Sequence, residues 1–193
     1  MSSFFKSVKH YFSLVKFSHT VFAMPFALIG FALAVATTDQ IFSLKLLLLI
    51  ILCMIFARNA AMGFNRLADN RFDALNPRTK NREIPTGTIS TGSAAVFITV
   101  NSILFIVTAA FINKLTLFLS PVALIIILGY SLSKRITYLC HFILGLGLSL
   151  APIGAYISVT STFNIIPIIY SLIVITWVSG FDIIYALQDD EFD

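Results

Sequence analysis

Acidic side chains are scarce in this sequence, and seven of the nine fall in two short stretches. The first is Asn65-Arg66-Leu67-Ala68-Asp69-Asn70-Arg71-Phe72-Asp73. If helical, it stacks Asn65, Asp69 and Asp73 on one face, because residues four apart are neighbours on a helix surface. The second runs from Asp182 to Asp193 and contains Tyr185 and Asp189. Its Asp182, Tyr185, Asp189 and Asp193, at i, i+3, i+7 and i+11, again share a face. Like charges one turn apart repel, so two facing carboxylate sets need something positive between them. Mg²⁺ suits the task, since it takes one or two carboxylates, keeps several waters and fills its octahedron with substrate phosphates. Two such sets could clamp a diphosphate through metal ions. For one stretch alone, a solvated acidic helix end or pairing with Arg66 and Arg71 is the better explanation of the acids. Matched spacing in both stretches favours the metal clamp.

The elements that must hold these residues are membrane helices. Hydrophobic residues make up 58% of the 193 residues, charged residues 11%, and the mean hydropathy is +0.94. Soluble domains are about 45–50% apolar and about 25% charged, so a soluble globule and a disordered chain are both excluded. A span needs about 20 apolar residues. Six runs qualify: 17–36, 44–64, 94–112, 115–132, 138–159 and 165–186. The fold class is therefore an all-α polytopic membrane protein. Pro25, Pro152 and Pro167 interrupt spans, which membrane bundles tolerate. The one long polar linker, 65–93, has turn chemistry at Asn76-Pro77 and Pro85-Thr86-Gly87. Lys6, Lys9 and Lys16 before an apolar run, with Ala34-Val35-Ala36 after it, have the form of a signal peptide. Five further spans follow, so the run reads as the first span. Cys53 and Cys140 lie inside apolar runs and suggest neither a disulfide nor a metal framework.

Orientation follows from Lys and Arg. Ten of them flank the N-terminus and the linkers after spans two and four, against Lys45 and Lys114 on the other side. The N-terminus, those linkers and both acidic stretches are thus cytoplasmic. The formal charge of +4 reflects this topology, with no nucleic-acid partner implied.

The paired motifs resemble those of the UbiA superfamily of membrane prenyltransferases. Asn65 to Asp73 is similar to N-D-x-x-D-x-x-x-D, with Arg66 in place of an acid. Asp182, Tyr185, Asp189 and Asp193 match D-x-x-Y-x-x-x-D-x-x-x-D. The stretch Asn76-Pro77-Arg78-Thr79 through Asn81-Arg82-Glu83-Ile84-Pro85-Thr86-Gly87 resembles the loop after the first motif, and Tyr130 to Lys134 resembles Y-x-x-x-K. The likeness is greatest to 4-hydroxybenzoate polyprenyltransferases, although Arg66 is similar to the menaquinone branch. The resemblance implies a nine-helix bundle, of which this chain would be a C-terminally truncated, single-domain member over 1–193, lacking about three helices and inactive alone. It implies Mg²⁺ on Asp69, Asp73, Asp189 and Asp193. It also implies a polyprenyl diphosphate and an aromatic acid as substrates, bound by Asn65, Arg58, Arg82, Tyr130, Lys134 and Asp182. The catalytic candidates are Asp189, Arg58 and Tyr185. Such enzymes serve ubiquinone or menaquinone biosynthesis in the lipid bilayer of the bacterial inner membrane, with the site facing the cytoplasm.

Other residues have plainer readings. Arg58, within span two, is costly there unless functional, and a contact with the aromatic carboxylate or the diphosphate outweighs snorkelling. Arg135 reads as a cytoplasmic anchor. Arg78 is either an anchor or a diphosphate contact. His19 and Thr20 read as interfacial polar residues, and Gly145, Gly147 and Gly154 as helix-packing positions. Rival functions are a CDP-alcohol phosphotransferase, whose D-G-x-x-A-R start is absent, and a cation transporter, whose acids belong near the bilayer midplane.

The charge bias generates a direct prediction. In intact cells, an impermeant thiol reagent modifies a single cysteine at position 39 and leaves one at position 78 unmodified. The reverse pattern inverts the topology.

Overall fold

The computed structural model describes residues 10–15 and 17–187, with backbone alone at 17–22. The side chains of Lys6, Lys9, Lys16, His19 and Thr20 and all of Asp189, Asp190, Glu191 and Asp193 lie outside the described residues.

Seven helices follow a short helical segment at 10–14: α1 Phe17–Thr37, α2 Leu44–Ala68, α3 Asn70–Asp73, α4 Thr91–Ala110, α5 Lys114–Ser133, α6 Cys140–Thr160 and α7 Ile165–Ala186. Each long helix lies within a few residues of an expected span. Five of them (α2, α4, α5, α6 and α7) are long and apolar enough to cross a membrane. In α1, the apolar stretch with described side chains is Ala23–Thr37. Large apolar side chains such as Ile103, Phe118, Ile125 and Trp177 face outward, a surface that lipid can cover and water cannot. The protein is an integral membrane protein.

Short polar residues start the helices, because free N–H groups in the first turn need acceptors. Ser43 accepts from the Leu46 N–H at 3.3 Å, Ser90 from Ser93 at 3.1 Å, Asn113 from Thr116 at 2.8 Å and Asn164 from Ile166 at 3.0 Å. Asn113 does more: its Nδ2 donates to the carbonyls of Ile157 and Ser158, both at 3.0 Å. The start of α5 is thereby stapled to the end of α6.

Helices α2 and α6 organise the bundle. α6 packs against α7, α1, α5 and α2, and α2 packs against α4, α5 and α1. Ala27, Phe31, Ile50 and Ala155 form a core where α1, α2 and α6 meet. Polar contacts inside the bundle join backbone to side chain. Ser171 donates to the Ser149 carbonyl at 2.8 Å, and Ser179 to the His141 carbonyl at 3.1 Å. Asn59 on α2 donates to Asn101 on α4 at 3.1 Å, a pairing the sequence pattern did not single out.

The long linker is an ordered cap. Ile84 and Ile89 are buried with Leu14 and Ala94. Asn76 shapes the turn, its Oδ1 accepting from the Arg78 N–H at 2.9 Å, while Gly87 takes a positive φ of 73°.

The small residues divide. A Cβ on Gly145 would come within 2.7 Å of the Ile175 carbonyl, so the expected packing role holds there. A Cβ on Gly147 would sit at ordinary contact distance, 4.0 Å from the Ile127 Cα. Gly154 has nothing within 4 Å and lines a cavity, so it is no packing position. Gly30 on α1, absent from the sequence argument, presses on the backbone of Pro152 in α6.

Gly30→Ala therefore forces α1 off α6 and should cost about 1–3 kcal/mol, as overpacking does. Gly154→Ala should be neutral or gain about 0.5–1 kcal/mol from helix propensity. Thermal unfolding of both variants in the same detergent checks the contrast.

Candidate active site

A cavity of about 1650 Å³ opens between the helices. Along α2 it is lined from Ile50 to Asp69, roughly 28 Å at 1.5 Å per residue. Its wall changes character along this path. Deep in the bundle it is apolar, with Met54, Phe105, Leu119, Ile127 and Leu148; at the cytoplasmic ends expected from the charge bias it is charged. Every described site candidate lines it: Arg58, Asn65, Asp69, Asp73, Arg82, Tyr130, Lys134, Asp182 and Tyr185. Asp189 and Asp193 lie outside the described residues.

The first motif keeps its helical stacking across a break. α2 ends at Ala68 and α3 starts at Asn70, with Asp69 between them at φ −85°, ψ 0°. The Asp69 N–H donates to the Asn65 carbonyl at 2.9 Å and the Asp73 N–H to the Asp69 carbonyl at 2.8 Å. The i to i+4 path is thus continuous, and Asn65, Asp69 and Asp73 share the cavity wall.

Cations compensate the two carboxylates. Arg82 Nη1 donates to Asp73 Oδ1 at 2.6 Å, with the aspartate side chain only 8% exposed. Thr79 Oγ1 donates to the Asp73 carbonyl at 3.1 Å, anchoring the same turn. Lys134 Nζ sits 3.2 Å from Asp69 Oδ2, and Arg135 Nη2 3.3 Å from Asp69 Oδ1. Arg135 also donates to the Ala68 carbonyl at 2.6 Å and lies 4.6 Å over the Phe72 ring. More than a plain cytoplasmic anchor, it ties the linker after α5 to the end of α2. Lys134 and Arg135 are 36% and 41% exposed, so each pairing contributes less than about 1 kcal/mol and is easily exchanged for another anion.

Three arginines differ in their partners. Arg82 is engaged, whereas Nε of Arg58 and of Arg66 is buried without a hydrogen-bond partner. Arg58 and Arg66 both face the cavity. Eight residues separate them on α2, roughly 12 Å along the axis, so they serve different depths.

Across the cavity, His141 Nδ1 donates to Asp182 Oδ2 at 2.8 Å. The close approach at Gly145, one turn from His141, supports this pair, because a Cβ there would meet Ser179 and Ile175, one and two turns from Asp182. Motif spacing did not single out His141. The signal was its depth: 141 and 182 lie within about one turn of the same distance from the connection between α6 and α7. Tyr185 lies at the rim, 49% exposed, its ring 6.2 Å from that of Phe181. Cys53 and Cys140 are both free.

The chemistry of the donor set suits a hard cation. Asp69 and Asp73 present two carboxylates one turn apart, and Asp73 Oδ2 is a buried acceptor with no partner. Among the described residues no group of three or more His, Cys, Asp or Glu converges. A metal held here would complete its shell from other ligands, as Mg²⁺ commonly does with water and phosphate.

Comparison with known proteins is consistent with this arrangement. Residues 23–193 match the UbiA prenyltransferase family. The 4-hydroxybenzoate octaprenyltransferase of Aliivibrio salmonicida is 34% identical over 162 residues, covering 80% of this chain and 54% of the relative. The enzyme of the same description from Vesicomyosocius okutanii is 34% identical over 154 residues, covering 78% and 55%. The chain thus spans about half the length of the curated relatives it matches. Among solved structures, the apo form of a UbiA homologue from Aeropyrum pernix superimposes with a TM-score of 0.81 at 32% identity, over 89% of this chain and 64% of the other. A UbiA homologue from Archaeoglobus fulgidus bound to DMAPP and Mg²⁺ gives 0.76 at 25% identity, over 95% and 65%.

The Arg82–Asp73 pair makes a stability prediction. Arg82→Ala removes the ion-pair partner of a buried carboxylate and should destabilise the cytoplasmic cap by about 1.5–3 kcal/mol. Arg82→Lys should recover part of that loss. Proteolysis rates at the 74–90 linker, compared in wild type and both variants, measure it.

Proposed function

The chain belongs to the UbiA prenyltransferase family, and from that premise we propose that it transfers a polyprenyl group from a polyprenyl diphosphate to an aromatic acid. The carrying observation is the change in the wall of one cavity. A charged mouth with Asp69, Asp73, Arg82 and Lys134 leads into an apolar slot between helices. That profile fits a molecule with a diphosphate head and a hydrocarbon tail, and a homologue of the same fold binds DMAPP and Mg²⁺. Asp69 and Asp73, joined by Asp189 and Asp193 of the second motif, are the residues that would hold Mg²⁺. When bound, the ion supplies positive charge to the departing diphosphate.

The chain's own groups do the rest. Lys134 and Arg82 orient phosphate oxygens as preorganised cations, most effective where charge develops in a site that excludes water. The allylic C–O bond breaks, and its electron pair leaves with the diphosphate. The resulting cation is attacked by the ring carbon ortho to the acceptor's hydroxyl, forming the new C–C bond. A carboxylate of the second motif, Asp182 or Asp189, takes the ring proton. Apolar walls keep water from the cation, which it would otherwise quench. Arg58, roughly 12 Å from the phosphate-binding end, is too deep for the same diphosphate and binds the acceptor's carboxylate instead. The acceptor we propose is 4-hydroxybenzoate, on the names of the relatives; a menaquinone-pathway acid is the alternative that Arg66 favours. The setting is quinone biosynthesis at the cytoplasmic face of a bacterial inner membrane. Acids gathered at helix ends, away from the midplane, speak against ion transport.

In a version extended to the length of the relatives, reconstituted in lipid with polyprenyl diphosphate, Mg²⁺ and a panel of aromatic acids, 4-hydroxybenzoate is prenylated, whereas residues 1–193 alone give no steady turnover. Asp73→Asn abolishes turnover at limiting Mg²⁺ with the fold retained. Arg58→Gln raises KM for the aromatic acid by about 10-fold or more, the loss of one charged hydrogen bond, with KM for the diphosphate unchanged. Ion flux without prenylated product would refute the reading.

A further inference from the structure

We propose that Arg66 is a phosphate ligand in its own right, giving the cavity a share of diphosphate binding that needs no metal ion. The inference rests on the diphosphate reading above and extends it to a residue to which the sequence pattern gave no part in substrate binding. Arg66 is 5% exposed, at the motif end of α2, yet it faces the cavity. Its guanidinium makes no hydrogen bond among the described residues, and Nε is buried without a partner.

Two of the three carboxylates near Arg66 are already matched, and the third, on Glu83, makes no hydrogen bond to it. Asp73 is paired with Arg82, and Asp69 with Lys134 and Arg135. Arg66 feels Asp73, Glu83 and Asp69 only at a distance, and Arg82 opposes them. A guanidinium withdrawn from water with no hydrogen-bonded anion is strongly unfavourable. Glutamine or leucine would fill the same space without that cost. What relieves Arg66 is an anion entering the cavity, and the planar fork of Arg is shaped to take two phosphate oxygens side by side. Lys134 and Arg135 hold Asp69 loosely at the surface, whereas Arg66 is preorganised by burial. It therefore acts as the fixed cation against which the head group docks.

The test is binding, independent of turnover. The protein in lipid nanodiscs is titrated calorimetrically with inorganic pyrophosphate, once in excess EDTA and once in Mg²⁺. Wild type binds under both conditions. Arg66→Gln weakens binding in EDTA by about 10-fold or more, the loss of one charged hydrogen bond. Arg66→Lys, which keeps the charge and loses the fork, falls between. The ligand-free Arg66→Gln protein melts no lower than wild type, since it loses an unrelieved charge. A second measurement on the unmutated protein removes dependence on a variant's folding: pyrophosphate in EDTA protects Arg66 from phenylglyoxal, read by peptide mass spectrometry. Binding by wild type in Mg²⁺ alone, equal binding by Arg66→Gln in EDTA, or unprotected Arg66 would overturn the inference and leave the diphosphate reading standing. No pyrophosphate binding under either condition would overturn both.

Discussion

Two carboxylates one helical turn apart, at the end of a membrane helix, cannot stand without positive charge. Asp69 and Asp73 are in that position, and much of the cytoplasmic face follows from it. Asp73 draws Arg82 back across the linker, so residues 74–90 fold over the end of α2 as a packed cap. Asp69 draws Lys134 and Arg135, so the end of α5 meets the end of α2. The ion pairs contribute little energy individually. Their importance is geometric, because they bring segments far apart in sequence to one rim.

Within the bilayer a different constraint sets the geometry. Lipid tails are as apolar as leucine, so helices associate through close packing and internal polar contacts. Gly30 against Pro152 and Gly145 against Ile175 allow α1 and α7 to approach α6 backbone to backbone. That closeness places Asp182 beside His141. The same bundle leaves α2 apart from α6 along much of its length, and the cavity lies in that space. Tight contact on one side and separation on the other are what let a chain of this size be both stable and hollow.

Much of this was legible in the sequence because membrane physics is restrictive. Runs of about 20 apolar residues have few alternatives to a spanning helix, and α2, α4, α5, α6 and α7 fall where hydropathy placed them. The i, i+4, i+8 spacing of Asn65, Asp69 and Asp73 was readable for the same reason, since a helix fixes which side chains share a face. What depended on tertiary approach was not readable. Arg135 resembles any positive-inside residue until Ala68 and Asp69 are seen beside it. Gly154 is indistinguishable from Gly145 in sequence, yet only the second touches a neighbouring backbone. His141 is a lone histidine until the α6–α7 hairpin sets it level with Asp182.

The charges of the described residues at the rim bear on the proposed ligands. The cavity presents Arg58, Arg66, Arg78, Arg82, Lys134 and Arg135 against the carboxylates of Asp69, Asp73 and Asp182. The described residues form no closed cage of three or more metal-ligating side chains. Under the reading proposed above, such a surface suits an anion that bridges the basic residues and shares its oxygens with an ion on the two carboxylates. Exposed Lys134 and Arg135 lose little when they leave Asp69 for that anion, because water already screens them. The ion pairs of the rim thus hold the carboxylates in place, and the same side chains are available to the proposed diphosphate head group.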